Sequence, residues 1–271
     1  VKAHVKKALT SGPAAAAPAG GTGLPELPAV DFAKFGAFEL QPLSRLQRIS
    51  GPRLHASWVN IPHVTQFDEA DITEMEAARQ ELKKDADHEG VRLTPLAFVV
   101  MACAKALKAF PVFNTSMHTD GEHLVVKKYV HLGFAADTPN GLVVPVIRDV
   151  DTKRLFEIAR ELGELSERAR EGKLAAADMQ GGCFTISSLG SIGGTAFTPI
   201  INPPEVAILG VSRSAIAPVW DGEAFLPRLM LPLSLSYDHR VIDGATGVRF
   251  TTYLAGRLAD AAGLIGRRRD D

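Results

Sequence analysis

The chain has 271 residues, of which 46% are apolar and 23% charged, and its formal net charge is -1. This length can bury a sizeable core, and the composition is typical of a soluble globular protein. The balanced charge favours neither nucleic acid nor a membrane surface as a partner, and the longest apolar run is too short to span a bilayer.

The first residues have apolar side chains at helical spacing, which predicts the end of a helix over residues 1–10. Almost every residue between Ser11 and Gly23 is Ala, Gly or Pro, a composition that cannot form a packed core. We therefore expect a linker over residues 11–28 and one compact domain over residues 29–271.

Helices and strands follow in an irregular order. Residues 55–67 suit an extended segment, and a capping-box pattern at residues 71–74 predicts a helix to about His88. A buried helix is predicted from Thr94-Pro95 to Ala109, since Pro is favoured at the first helical position.

The second half of the domain is richer in strands. Strands are predicted within residues 124–136, 142–147, 182–188, 205–213, 215–220 and 224–237, with an amphipathic helix at 153–171 and a last helix after Gly244. Several consecutive strands between helices favour an α+β fold, a sheet flanked by helices.

A group of ionisable residues ends the strand predicted at 224–237. Asp238, His239, Arg240 and Asp243 follow one another closely there. A histidine held between carboxylates can work as a general base. Such a histidine is also often a hydrogen-bonded structural residue, so this segment alone leaves both interpretations open.

A second segment joins an apolar strand to serines and glycines: Phe184-Thr-Ile-Ser187-Ser-Leu-Gly-Ser-Ile-Gly-Gly. It could be a turn after a buried strand or a loop that binds phosphate. The Gly-Lys-Ser/Thr ending of a P-loop is missing from it.

Together, His-x-x-x-Asp-Gly at His239 and Phe-Thr-Ile-Ser-Ser upstream resemble the dihydrolipoamide acyltransferases of 2-oxo acid dehydrogenase complexes. They resemble chloramphenicol acetyltransferase more weakly. Blocks beginning at Ser57, Gly133 and Ile201 are similar to the same family in the same order, so the resemblance covers roughly residues 30–262. It implies a chloramphenicol acetyltransferase-like fold, a mixed β-sheet flanked by helices, assembled as a trimer with sites between subunits.

The resemblance also implies roles for particular residues. His239 would be the base, Ser187 would hydrogen-bond the oxyanion, and Asp243 would orient the active-site loop. Arg79 and Lys83 would contact the phosphates of coenzyme A, one helical turn apart. An ordinary solvated helix face explains these two cations equally well.

The implied reaction moves an acetyl group between S-acetyldihydrolipoamide and coenzyme A, as the core of a pyruvate dehydrogenase complex. The segments around Ser187 and residues 204–212 are closer to the acetyl-transferring branch than to the succinyl branch. Succinyl or branched-chain transfer, a non-catalytic scaffold that docks partner enzymes and an antibiotic-modifying acetyltransferase are the alternatives.

Residues 1–10 are similar to the closing helix of a peripheral subunit-binding domain, which implies pyruvate dehydrogenase and lipoamide dehydrogenase as partners. The lipoyl group would be carried on an upstream domain outside this sequence. The family often joins trimers into a 24-subunit cube through an apolar tail. This chain ends in Arg-Arg-Arg-Asp-Asp, which fits an apolar pocket poorly, so the trimer stays predicted and the cube is left open.

The two cysteines, Cys103 and Cys183, are far apart in apolar surroundings. We expect them to be buried free thiols in a reducing compartment, which favours a cytoplasmic location. Since neither has a His or a second Cys at ligand spacing, we expect no metal site.

Overall fold

The computed structural model describes residues 28–139 and 141–266 of the chain. The chain separates into two units, Val1–Pro42 and Leu43–Asp271. The predicted helix end at residues 1–10 lies outside the described residues. So does the predicted linker, apart from its last residue.

The described part of the first unit holds a short 3-10 turn at Phe32–Lys34. The turn is capped at its start, where the Ala33 N–H donates a hydrogen bond to the Asp31 carboxylate. The residues of this turn are exposed within the chain.

The described part of the second unit contains helices α1 (Arg45–Asn60), α2 (Thr73–Glu81), α3 (Lys83–His88), α4 (Pro95–Ala109), α5 (Leu155–Arg170), α6 (Gly244–Ala259) and α7 (Ala261–Ile265). Its strands are β1 (His63–Asp71), β2 (Thr115–Met117), β3 (Leu124–Val126), β4 (Leu132–Phe134), β5 (Ala136–Thr138), β6 (Gly141–Val143), β7 (Val146–Ile147), β8 (Phe184–Ser188), β9 (Ala207–Val211), β10 (Ala215–Trp220) and β11 (Phe225–Asp238).

Seven of these strands form one sheet in the order β1-β11-β9-β8-β4-β7, and β10 pairs with the first part of β11. The β4–β8 and β8–β9 pairs are parallel, and the other pairs are antiparallel. Two small hairpins, β2–β3 and β5–β6, lie apart from this sheet. The predicted α+β class with a mixed sheet flanked by helices is confirmed.

Helix α4 is the most buried helix and packs against both α5 and α6. An aromatic cluster then joins α6 to the sheet. The Phe250 ring of α6 lies 4.1 Å from the Phe113 ring and 5.8 Å from the Phe184 ring of β8, measured between centroids. All three rings are fully buried. The cluster thereby fixes the helix that follows His239 against the strand that carries Ser187.

Most predicted elements are confirmed, including α4, α5, α6 and the late strands. The extended segment predicted at 55–67 is wrong in its first half, because residues 55–60 belong to helix α1. Helix α1 begins at a capping box, in which Ser44 and Gln47 bond each other's backbone, and it continues to Asn60. The helix predicted up to His88 divides at Leu82 into α2 and α3. The Asp71 carboxylate bonds Thr73 instead of completing a capping box.

Candidate active site

His239 lies directly after the C-terminal end of β11, which runs between β1 and β9 in the sheet. Its backbone N–H donates to the Pro62 carbonyl at 3.0 Å, and its ring is 5.9 Å from the buried Tyr237 ring. The side chain is exposed within one chain. Backbone and neighbouring ring therefore hold the residue in place and leave the imidazole accessible.

The carboxylate of Asp238 fixes the turn that contains His239. It is 2% exposed and accepts hydrogen bonds from the Arg240 guanidinium, from Nη2 at 2.6 Å and from Nε at 2.9 Å. The Arg240 backbone N–H also donates to it. Because the carboxylate is buried, losing its cationic partner would be strongly unfavourable. Asp238 is thus engaged with Arg240, so it holds the turn in shape.

Asp243 caps helix α6. Its carboxylate accepts a hydrogen bond from the Thr246 backbone N–H at 2.7 Å, and this bond holds the pKa of Asp243 below its usual value. One turn into the helix, Gly247 lies directly against the Tyr237 ring. The cap and this close contact position the His239 turn from its C-terminal side.

Ser187 lies near the end of β8 and is half-buried. It lines a cavity of about 290 Å³ together with Thr185 and Ile208 of the sheet, Leu142 and Phe197. The glycine-rich loop after it folds as a turn, with the Ile192 and Gly193 N–H groups donating to the Leu189 carbonyl. A half-buried hydroxyl in an apolar cavity can stabilise a developing oxyanion.

His239 and Ser187 are far apart within one chain. Ser187 lies beside Gly210 on β9, and Gly210 lies beside Ser234 on β11, so His239 is five residues further along the sheet and two strands across. With about 3.3 Å per residue and about 4.8 Å between strands, their Cα atoms are roughly 19 Å apart. Side chains of this size cannot close that gap, so a site using both residues needs two copies of the chain.

The two cations predicted to bind coenzyme A differ in their surroundings. Arg79 donates from Nε and Nη2 to the Glu76 carboxylate and from Nη1 to the Leu93 carbonyl. A phosphate would therefore compete with Glu76 for this guanidinium. Lys83 is exposed at the start of α3, beyond the break at Leu82. The assignment of both residues to coenzyme A stays a prediction, and these contacts favour Lys83 over Arg79.

Glu205 is a buried acid that sequence reasoning missed. It is 4% exposed, and burial raises the pKa of its carboxyl to about 7. Thr185 Oγ1 donates to Glu205 Oε1 at 2.9 Å. A glutamate two residues before an all-apolar strand was the available signal, because the chain that leads into a strand buried on both faces lies in the interior too.

Both cysteines are buried and free, as predicted. Among the described residues, no group of three or more His, Cys, Asp or Glu side chains could hold a metal ion. In the same part of the chain, no helix is long and apolar enough to cross a membrane.

The family model for the 2-oxoacid dehydrogenases acyltransferase catalytic domain matches residues 35–265. The chain belongs to this family. The acyltransferase resemblance seen in the sequence is therefore confirmed.

Among relatives of this acyltransferase domain is the dihydrolipoyllysine-residue acetyltransferase component of the pyruvate dehydrogenase complex from Pseudomonas aeruginosa. The two are 56% identical over 98% of this chain and 48% of the relative. The acyltransferase domain thus spans about half the length of that protein.

Solved structures of similar acyltransferase domains share the fold closely. The Azotobacter vinelandii dihydrolipoamide acetyltransferase, studied for the role of a serine, a histidine and an asparagine in its catalytic mechanism, gives a TM-score of 0.87. It is 59% identical and covers 89% of this chain and 99% of its own. The cubic core of a pyruvate dehydrogenase multienzyme complex also gives 0.87, at 60% identity and with the same coverage.

Chloramphenicol acetyltransferase gives a TM-score of 0.50 at 16% identity, over 78% of this chain and 93% of its own. At this identity the likeness concerns the fold alone. The predicted chloramphenicol acetyltransferase-like fold is confirmed.

Proposed function

We propose that this domain transfers an acetyl group between S-acetyldihydrolipoamide and coenzyme A, as the core of a pyruvate dehydrogenase complex. One observation carries the proposal. The serine, histidine and asparagine studied in the Azotobacter vinelandii enzyme have the same spacing along the chain as Ser187, His239 and Asp243. The third residue differs, because this chain has aspartate in place of asparagine.

The sheet register supports a site built from two copies of the chain. His239 of one copy would meet Ser187 of the next, because the two residues lie roughly 19 Å apart within one chain. In a closed ring every His239 would have the Ser187 of a neighbouring copy beside it. A trimer is the ring that the family resemblance implies. The cubic core among the similar structures supports further assembly of such trimers.

The chemistry is a thioester exchange. A free thiol has a pKa near 8.5, so at neutral pH it is mostly protonated and a base must take its proton during attack. His239 would accept that proton as the sulfur of one thiol bonds to the acetyl carbon. The carbon–sulfur bond of the original thioester then breaks, and the imidazolium returns the proton to the departing sulfur.

The intermediate of this exchange carries a negative charge on the former carbonyl oxygen. The Ser187 hydroxyl would donate a hydrogen bond to that oxygen inside the apolar cavity, where such a bond is stronger than in water. Asp243 would act at a distance from the reacting atoms. As the cap of α6, it holds the turn that presents His239.

The long arm of coenzyme A ends in phosphates that need cations. The exposed ammonium of Lys83 has no ion-pair partner among the described residues and can contact a phosphate, whereas Arg79 is already paired with Glu76. The lipoyl group would arrive on a domain upstream of residue 1. Pyruvate dehydrogenase and lipoamide dehydrogenase would be the partner enzymes, and the assembly would be cytoplasmic.

The decisive assay mixes acetyl-coenzyme A with dihydrolipoamide and follows S-acetyldihydrolipoamide, with succinyl-coenzyme A as the comparison donor. His239→Ala and Ser187→Ala should each lower kcat by on the order of a hundredfold or more. His88→Ala, a change at an exposed histidine in α3, is the matched control and should keep the wild-type rate.

Two results would contradict the proposal in different ways. A wild-type rate in His239→Ala would remove the base from the mechanism. Equal rates with acetyl and succinyl donors would remove the acetyl preference and leave a general acyltransferase.

A further inference from the structure

Glu205 occupies an unusual position for a carboxyl group, in the interior between the loop before β9 and strand β8. Its Oε1 atom accepts hydrogen bonds from Thr185 Oγ1 at 2.9 Å and from Asn202 Nδ2 at 3.4 Å. Its Oε2 atom is buried without a hydrogen-bond partner among the described residues. A buried oxygen without a partner disfavours the ionised carboxylate, because no donor replaces the lost water.

The hydrogen bond to Thr185 connects Glu205 to the oxyanion side of the proposed site. Side chains two residues apart on a strand point to the same face, so Thr185 and Ser187 face one way. Both line the same cavity of about 290 Å³. The Glu205 carboxyl therefore contacts the residue that lies two positions before Ser187 on the same face of β8.

Glu205 is also close to the strand that carries the proposed base. Its neighbour Val206 accepts a hydrogen bond at its carbonyl from the Asp238 N–H at 2.8 Å, one residue before His239. Glu205 thus lies just before β9, the strand between those of the serine and the histidine.

The charged and titratable groups around Glu205 compensate its charge only in part. Lys127, after β3, favours the ionised carboxylate, but its ammonium donates to the Thr115 carbonyl and is itself partly buried. Cys183, before β8, has a thiol whose pKa is raised by burial. Glu205 also lines a neighbouring cavity with Arg53 and with the Asp238–Arg240 pair, which is neutral as a pair, and Arg53 lines the Ser187 cavity too.

We propose that Glu205, hydrogen-bonded to Thr185, is a positioning residue for acyl transfer, whose charge state sets how strongly the Ser187 side of the site stabilises the oxyanion. The neutral carboxyl leaves the stabilisation of the oxyanion by Ser187 undiminished. The ionised carboxylate places a negative charge near Ser187 and opposes the developing oxyanion. This inference rests on the proposed acyltransferase function.

The size of the effect follows from the geometry. Thr185 and Ser187 are about 6.6 Å apart along the strand, and the Glu205 carboxyl lies one hydrogen bond beyond Thr185. The carboxylate charge and the oxyanion at Ser187 are therefore roughly 9 Å apart. With an effective dielectric constant of about 20, ionisation would lower kcat by on the order of tenfold, and partial compensation by Lys127 reduces this toward threefold.

Burial raises the pKa of Glu205 to about 7, so the carboxyl changes its charge in the range where the enzyme can be assayed. The experiment measures kcat and KM for acetyl transfer to dihydrolipoamide from pH 6 to 8.5, in the wild type and in Glu205→Gln. The quantity compared is the kcat of Glu205→Gln divided by the kcat of the wild type. The titrations of the substrate thiols and of the base cancel in this ratio, since both proteins share them.

This ratio should be constant at low pH and rise about threefold to tenfold through pH 7, with KM unchanged. The control, Glu223→Gln in the exposed β10–β11 turn, should give a ratio near one throughout. A flat ratio for Glu205→Gln, even one well below one, would overturn the proposal, because it indicates a purely structural role. Wild-type protein without acetyl transfer would instead contradict the proposed function.

Thr185→Val provides a second test that does not require Glu205→Gln to fold. The lost hydroxyl lowers the pKa of Glu205 in the wild type, so this variant should ionise at higher pH. The ratio of its kcat to the wild-type kcat should therefore pass through a maximum just above pH 7. A ratio independent of pH would overturn the link between Thr185, Glu205 and the site.

Discussion

Two glycines in helix α6 should respond in opposite directions to the same substitution. A Cβ atom added at Gly247 would lie 2.9 Å from Tyr237 Cε1 and 3.1 Å from Cζ, whereas one added at Gly256 would meet nothing within 4 Å. The Tyr237 ring is 1% exposed and rigid, so it cannot turn aside cheaply. Gly247→Ala and Gly256→Ala therefore form a matched pair within one helix.

The magnitudes decide the sign at each position. Replacing Gly by Ala in a helix stabilises it by about 1 kcal/mol, while overpacking a core costs about 1–3 kcal/mol. We expect Gly256→Ala to raise the free energy of unfolding by about 1 kcal/mol and Gly247→Ala to lower it by about 1 kcal/mol. Because Tyr237 contacts the His239 turn, Gly247→Ala should also lower kcat.

Urea unfolding at one fixed protein concentration measures both variants, since assembly makes stability depend on concentration. The slope of the transition should stay the same in the two proteins. Equal gains in stability at Gly247 and Gly256 would refute the close contact between α6 and the Tyr237 ring.

Two further predictions concern the titration of single acids. Burial raises the pKa of Glu205 from 4.5 to about 7, so its stabilising contribution is complete below pH 4.5 and is lost as pH rises through 7. The wild type should lose about 3 kcal/mol relative to Glu205→Gln between pH 4 and pH 8 in urea unfolding, and a constant difference would contradict this. The pKa of Asp243 is lowered by the Thr246 N–H, so the cap acts above the usual carboxyl pKa and weakens as acid protonates it. Asp243→Ala should lower the melting temperature at pH 7 and Asp243→Asn should nearly preserve it, since Asn also caps helices; equal losses would argue against a capping role.

Helices and strands that are marked by residues close together in the sequence were predicted correctly. Thr94 and Pro95 mark the start of α4 because extended backbone before Pro and a missing N–H both suit a helix N-terminus. The alternation of apolar and polar residues predicted the late part of β11, and Gly244 marked α6. These features depend on residues a few positions apart, which a single sequence displays directly.

Helix α1 was missed although its start carries a capping box at Ser44 and Gln47. The reason is that most of its residues are exposed within one chain, so no apolar face at helical spacing identifies it. Pro52 in its interior also argues against a helix. Such a helix is recognisable from its cap but not from its periodicity.

The features that the sequence did not predict are contacts between segments distant along the chain. That Arg79 donates to the Leu93 carbonyl, or Thr185 to Glu205, depends on packing that brings remote parts of the chain together. The predicted roles of His239, Ser187 and Asp243 came from family resemblance. Their separation across the sheet needed the strand register.

That separation has a genetic consequence. A chain lacking the histidine and a chain lacking the serine are each inactive in a pure ring, yet each contributes the half that the other lacks. If His239→Ala and Ser187→Ala chains are produced together and mix at random, about a quarter of the junctions pair an intact His239 with an intact Ser187. Two null alleles would thus complement each other, and the recovered activity would measure how freely the chains mix.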